Sequence, residues 1–162
     1  MANPKIELII QQGLLDRLID LEPGNRSEPA ITRAESLRRL RQSVRRDLEW
    51  LLNTTRMPIP MPADCVELEK SVLCYGLPDV NSMSLQSALD QRRLLRSLEI
   101  AIETFEPRLY HARVTSTDPF HSGKQAIMFH VEALLLLDPA PERISFDTVL
   151  EISKGAYNVK EA

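Results

Sequence analysis

The 162 residues fit one domain of ordinary size, enough to withdraw roughly 68–70% of the surface that the unfolded chain exposes. A composition of 43% hydrophobic and 27% charged residues is globular, and 23 acids against 20 bases give a net charge of −3, far from the basic footprint of a nucleic-acid-binding domain. Apolar runs such as Leu134 to Leu137 and Leu8 to Ile10 fall well short of the roughly 20 residues of a membrane span, and the N-terminus carries no secretory pattern. Neither nucleic-acid binding nor direct membrane insertion is expected.

The first segment, Ile6 to Leu21, places Leu14, Leu15, Leu18 and Ile19 at helical spacing, with Asn3 and Pro4 as cap and first-turn proline. It reads as a short amphipathic helix. The connector Glu22 to Ala30 follows, with two prolines, a glycine and no large apolar side chain. The expected division is therefore 1–31, an N-terminal amphipathic helix with a flexible connector, and 32–162, an α+β domain.

The best-specified element is the next helix, Arg33 to about Asn53. Thr32 and Glu35 form a capping box, and Leu37, Leu40, Val44, Leu48 and Leu51 recur every three or four residues. At about 100° per residue, Arg38, Arg39, Arg45 and Arg46 fall on the opposite face, which in its plainest reading is solvated. Trp50, the sole tryptophan, lies at the border of the apolar stripe beside Arg39, Ser43 and Arg46. Either the proline-rich stretch Met57 to Pro62 folds back over it, or it anchors a partner, tryptophan and arginine being enriched in interface hot spots.

Cys65 and Cys74 lack the C-x-x-C spacing of a metal or redox site and are expected to be buried, reduced thiols. Tyr75-Gly-Leu-Pro-Asp79 is turn chemistry. A further helix is predicted from about Ser84 to Glu106, capped by Ser82 or Ser84, with Leu85, Ala88, Leu95, Leu98, Ile102 and Phe105 on one stripe. Pro107 ends it.

Beyond Pro107 the apolar period changes to two, the signature of strands. Three strands are predicted: Arg108 to Val114, Gln125 to Leu137 and Arg143 to Ile152, joined by the hairpin loop Thr115 to Gly123 and the turn Asp138 to Pro141. Short connections make them antiparallel neighbours. The class is α+β, with two main helices packed on a three-stranded antiparallel sheet and an additional N-terminal amphipathic helix. Such a meander leaves an unpaired edge that invites a further chain, an idea motivated by the strongly alternating strand Arg143 to Ile152, while which edge is free stays open.

Catalytic constellations are weak. Glu99, Glu103 and Glu106 could share a helix face as the paired acids of a glycoside hydrolase, but the favoured reading is an ordinary set of exposed helix acids pairing with Arg92, Arg93 and Arg96. His111, His121 and His130 lack metal-ligand spacing, no G-x-S-x-G elbow occurs, and the five glycines are scattered singly. No catalytic, cofactor-binding or metal-binding residue is assigned.

Three stretches carry a family resemblance: Arg45-Arg-Asp-Leu-Glu-Trp-Leu-Leu-Asn-Thr54, Ser71-Val-Leu-Cys-Tyr-Gly-Leu-Pro-Asp79 and Glu106-Pro107-Arg108, with Phe146-Asp-Thr148 in the last strand. Over about Leu14 to Val159 the chain resembles the TssE family of type VI secretion baseplate wedge proteins, related to the lysozyme-like baseplate wedge protein of contractile phages. The resemblance implies a non-enzymatic, cytoplasmic wedge subunit, assembled on the cytoplasmic side of the cell envelope, that joins the baseplate core and helps start sheath polymerisation. The implied partners are the wedge subunits TssF, TssG and TssK and the sheath proteins TssB and TssC. No hydrolase site is carried over from the phage relatives, and a small muramidase-like hydrolase stays as the rival reading.

Expected partner-binding residues form three groups. Glu106 and Arg108 would grip a helical bundle of neighbouring subunits, with Pro107 setting their angle; the alternative is an internal ion pair joining helix to sheet. Trp50, Arg39 and Arg46 form the second group. Leu14, Leu15 and Leu18 form the third, docking either on a partner groove or on the chain's own core.

Overall fold

The computed structural model of the chain describes residues 10–19, 23–24, 31–58, 65–80, 83–84, 87–116, 126–151 and 155–161. The chain divides into two compact units, Met1–Val44 and Arg45–Ala162. Expectations that fall on Asn3, Pro4, Ile6 to Ile9, Leu21 and most of the connector, Ile59 to Pro62, Ser82, Leu85, Thr117 to Gln125 and Ile152 lie outside the described residues.

In the first unit, the leading segment is helical over five residues only, Leu14–Leu18, here α1. The helix expected from Ile6 does not include residues 10–13, because Gly13 precedes α1 without a side-chain cap and Ile19 is already extended. The second helix, α2, spans Arg33–Asn53 as its periodicity predicts. Thr32 Oγ1 accepts from the Glu35 main-chain N–H at 3.2 Å, which is half of the capping box. The Glu35 carboxylate turns instead to Arg38 and Arg39. Leu40 and Val44 are buried.

The second unit contains the remainder of α2, two short 3-10 turns (Val66–Lys70 and Val72–Cys74), helix α3 (Ala88–Phe105) and strands β1 (Leu109–Ser116), β2 (Ala126–Leu135), β3 (Glu142–Glu151) and β4 (Ala156–Glu161). All neighbours are antiparallel, in the order β1-β2-β3-β4. The α+β antiparallel class stands as expected, with a fourth strand that sequence patterning did not predict. That strand makes β3 an interior strand, so the edges of the described sheet are β1 and β4, and the alternating stretch Arg143 to Ile152 does not lie at an edge.

One face of the sheet supplies Ile127, Phe129, Val131, Ala133 and Leu135 from β2, Ile144, Phe146, Thr148 and Leu150 from β3, and Tyr157 and Val159 from β4. These are buried, as are Leu48, Leu51 and Leu52 of α2. The buried stripe of α3 is Leu94, Leu98, Ala101 and Ile102; Leu98 and Ile102 are as predicted, whereas Ala88 of the predicted stripe is exposed. Its cap is Ser87, which accepts from Asp90 N–H. Removing this much apolar surface from water is the main force for folding.

A clamp fixes the end of α2. Leu77 N–H donates to Thr54 C=O at 2.8 Å and Arg56 N–H to Leu77 C=O at 2.8 Å. Gly76, at φ 105, lies so close that a Cβ would stand 2.2 Å from Thr54 O, so only glycine fits. The Tyr-Gly-Leu-Pro-Asp stretch is thus a main-chain fastener. Both cysteines are free thiols, but only Cys74 is buried; Cys65 is exposed, contrary to expectation.

Candidate functional site

The corner where α3 turns into β1 is built from a β-turn. Pro107, exposed, fixes the backbone after the helix, and Leu109 N–H donates to Glu106 C=O at 3.0 Å. The turn folds Arg108 back over Glu106. Arg108 Nε donates to Glu106 Oε1 at 2.6 Å, Nη2 donates to Glu106 Oε2, and the Arg108 main-chain N–H donates to Oε1 at 3.3 Å. Such a fork-on-carboxylate pair is the geometry that arginine favours.

The pair extends to α2. Arg108 Nη2 also donates to Asp47 Oδ2 at 2.6 Å, and Asp47 Oδ1 accepts from Arg46 Nε and Nη2 at 2.9 and 2.8 Å. Arg46 in turn lies over the Trp50 ring, 4.8 Å from its centroid, within cation–π range. Five side chains thus form one chain of contacts: Glu106, Arg108, Asp47, Arg46 and Trp50. Burial works against the Arg108 charge, but the hydrogen bonds and charge of Glu106, then those of Asp47, outweigh it and hold its pKa above the ordinary value. Tyr75, edge-on to Phe105 with centroids 5.3 Å apart, borders the corner. Burial raises its hydroxyl pKa, and Asp47 and Glu106 add to the shift.

Exposure separates an inside from an outside. Glu106 is buried at 4%, so its carboxylate belongs to an internal ion pair, whereas Arg46, Asp47 and Arg108 each keep about a quarter of the side chain exposed. Trp50 remains 52% exposed. Asp47 and Tyr75 were not singled out from the sequence. Asp47 reads there as an ordinary helix acid, and its partner lies 61 residues away.

The first unit carries the other expected residues. Arg39 pairs with Glu35 at 3.1 Å. The leading segment is tied to α2 through polar groups: Ser43 Oγ donates to Asp16 Oδ2 at 2.6 Å, Gln12 Nε2 to Ser36 C=O at 2.7 Å and Ile10 N–H to Ser36 Oγ at 3.3 Å. Its apolar side chains face outward, with Leu14 and Leu18 each 73% exposed and Leu15 and Ile19 nearly half exposed.

The acids considered for hydrolysis are engaged or apart. Glu99 pairs with Arg96 and accepts from Val114 N–H, Glu106 is bound by Arg108, and Glu103 is exposed on α3. Among the described residues no group of three or more His, Cys, Asp or Glu side chains is placed to hold a metal ion. His130 sits beside Asp147 on the sheet at 2.7 Å, and His111 stacks against Tyr110 with centroids 4.0 Å apart. None of the described helices is long and apolar enough to cross a membrane.

The family model for baseplate wedge protein gp25 matches residues 38–140, more than half of the chain. No curated protein and no solved structure matches it. The matched stretch takes in the Asp47–Arg108–Glu106 corner, the Gly76 clamp, α3, β1 and β2. By that match the chain belongs to the baseplate wedge protein gp25 family, a family of structural baseplate components.

Proposed function

We propose that the chain is the wedge subunit of a type VI secretion baseplate, linking the core bundle to the sheath and helping sheath polymerisation to start. The family match over residues 38–140 carries this reading. TssF, TssG and TssK are the wedge partners in it, and TssB and TssC the sheath partners. Residues 1–31 act as a tethered arm and residues 32–162 as the wedge body, working on the cytoplasmic side of the envelope without catalysis.

Physical support comes from the corner. A buried carboxylate bound on both oxygens by one guanidinium is suited to fixing geometry and poorly suited to moving protons. Glu106 and Pro107 therefore position Arg108, and Arg108 with Asp47 and Arg46 presents Trp50 as a rigid amphipathic anchor. The exposed Leu14, Leu15 and Leu18 form a second apolar contact, and Arg39, paired with Glu35 on α2, adds a half-exposed charge to the partner-facing residues. A sheath segment adding to an edge of the sheet completes the scheme.

Co-purification with a TssF–TssG complex tests the reading. Trp50→Ala, exposed and so near-neutral for folding, should reduce capture at least tenfold, as truncation of an interface hot spot does. Undiminished capture by that variant would overturn the role of the corner. Cell-wall turbidity clearing tests the muramidase alternative, with no clearing expected from the wild-type chain.

A further inference from the structure

In an antiparallel ladder the N–H and C=O of one residue point to the same side, so alternate residues of an edge strand direct both groups away from the sheet. Both edges here have such groups already occupied by side chains, and the two are occupied differently. At β1, Val114 N–H donates to Glu99 Oε1 of α3 at 3.1 Å. The strand is interrupted by a bulge between Tyr110 and Arg113, with His111 at φ 54, and α3 packs against it. A carboxylate can accept but cannot donate, and an irregular ladder beside a packed helix offers no lane for a strand, which needs about 4.8 Å.

At β4 the ladder is regular along its whole pairing with β3. The Asn53 amide, on the last residue of α2, makes both bonds to one residue: Oδ1 accepts from Tyr157 N–H at 2.8 Å and Nδ2 donates to Tyr157 C=O at 2.8 Å. These are the two bonds that a facing residue of a neighbouring strand would make. Two residues further on, Arg45 Nη1 donates to Val159 C=O at 3.2 Å. Asn53 is exposed, and α2 reaches this edge through the side chains of Arg45 and Asn53.

We infer that Asn53 is a strand mimic that holds the β4 edge shut until a strand of a partner chain displaces it, with Arg45 as its auxiliary. The inference rests on the strand-addition part of the proposed function and names the edge and its latch. Exchanging a side-chain amide for a main-chain amide is nearly neutral in hydrogen bonding, so displacement is driven by what the incoming side chains bury. The strand that fits alternates in character. Its apolar residues continue the buried row of Tyr157 and Val159, and on the opposite, exposed face an acidic residue stands beside Lys160.

The test uses the full chain and the purified TssB–TssC sheath subunit as probe, with binding measured by titration and amide protection by hydrogen exchange. Asn53→Ala removes the competitor, so the sheath subunit should bind about tenfold tighter, two net hydrogen bonds corresponding to roughly that factor. Arg45→Met should give a smaller gain of about threefold, and serves as the second variant if Asn53→Ala lowers the melting temperature too far. In the free Asn53→Ala chain the Tyr157 amide should exchange fast. On sheath binding the Tyr157 and Val159 amides should become protected. Protection at Val114 and Ser116 with no affinity gain from Asn53→Ala would overturn the latch while leaving strand addition standing. Binding that protects neither edge, or no binding at all, would overturn strand addition and the latch with it. Dimerisation of the wild-type chain through β4 would overturn the choice of a partner chain as occupant.

Discussion

Replacing Arg108 by alanine isolates the tie at the helix–sheet corner. The change removes the 2.6 Å bond to Glu106 Oε1, the second bond to Glu106 Oε2 and the 2.6 Å bond to Asp47. Glu106, at 4% exposure, is left with the main-chain N–H of residue 108 at 3.3 Å. Truncating one partner of a fully buried pair costs about 3–5 kcal/mol. Because Arg108 and Asp47 each retain about a quarter of their exposure, water recovers part of this, and we expect a loss of about 2–4 kcal/mol. The melting temperature should fall by roughly 5–12 °C for a chain of this size. Glu106→Ala leaves Arg108 with Asp47 and water and should lose about 1–2 kcal/mol. The double variant should fall short of the sum by at least about 1 kcal/mol, since the two side chains share their partners. Urea denaturation followed by circular dichroism and by Trp50 fluorescence reads all three. An Arg108→Ala chain within about 0.5 kcal/mol of wild type, with additive losses in the double variant, would refute the internal tie.

Three further outcomes follow from single contacts. Gly76→Ala forces a Cβ to 2.2 Å from Thr54 O at φ 105; it should destabilise by at least about 2 kcal/mol in urea denaturation, while Gly24→Ala, with nothing within 4 Å, should change stability by less than about 0.5 kcal/mol. Tyr157→Phe removes a buried hydroxyl that has no hydrogen-bond partner among the described residues, so thermal unfolding should show a chain at least as stable as wild type, by up to about 1 kcal/mol. Hydrogen bonds from Arg38 and then Arg39 hold the Glu35 carboxyl at about 2 instead of its ordinary 4.5. A depressed pKa stabilises the fold above the ordinary value and loses that contribution as pH falls from 4.5 towards 2. Carbon-detected NMR titration of Glu35 should therefore give a midpoint near 2 that returns towards 4.5 in the Arg38→Ala/Arg39→Ala chain.

What sequence alone disclosed was the part of the fold written in local periodicity. α2 runs over the residues that its cap and its three-to-four spacing indicate, and β2 and β3 alternate for ten residues each, long enough for period two to be unambiguous. β4 escaped because Ala156–Glu161 offers only Tyr157 and Val159 as apolar positions, too few to display a period. With it went the identity of the sheet edges. The α3 stripe was read correctly at Leu98 and Ile102 but displaced elsewhere, because several leucines compete for the buried face and packing selects Leu94 over Ala88 and Leu95. Of the site, Glu106, Pro107, Arg108, Arg46 and Trp50 were visible as a motif and as an unusually placed aromatic. Asp47 and Asn53 were not, because each acts on a group 61 or 104 residues away, and nothing in a helix acid or a terminal asparagine announces such a partner.

The most direct test of the central claim is the mass of the particle formed when the purified chain is mixed with a TssF–TssG complex, read by size-exclusion chromatography with light scattering. A stable complex containing this chain should form, weakened at least tenfold by Trp50→Ala. Elution of the wild-type chain on its own, at every concentration up to the micromolar range of transient interfaces, would contradict it.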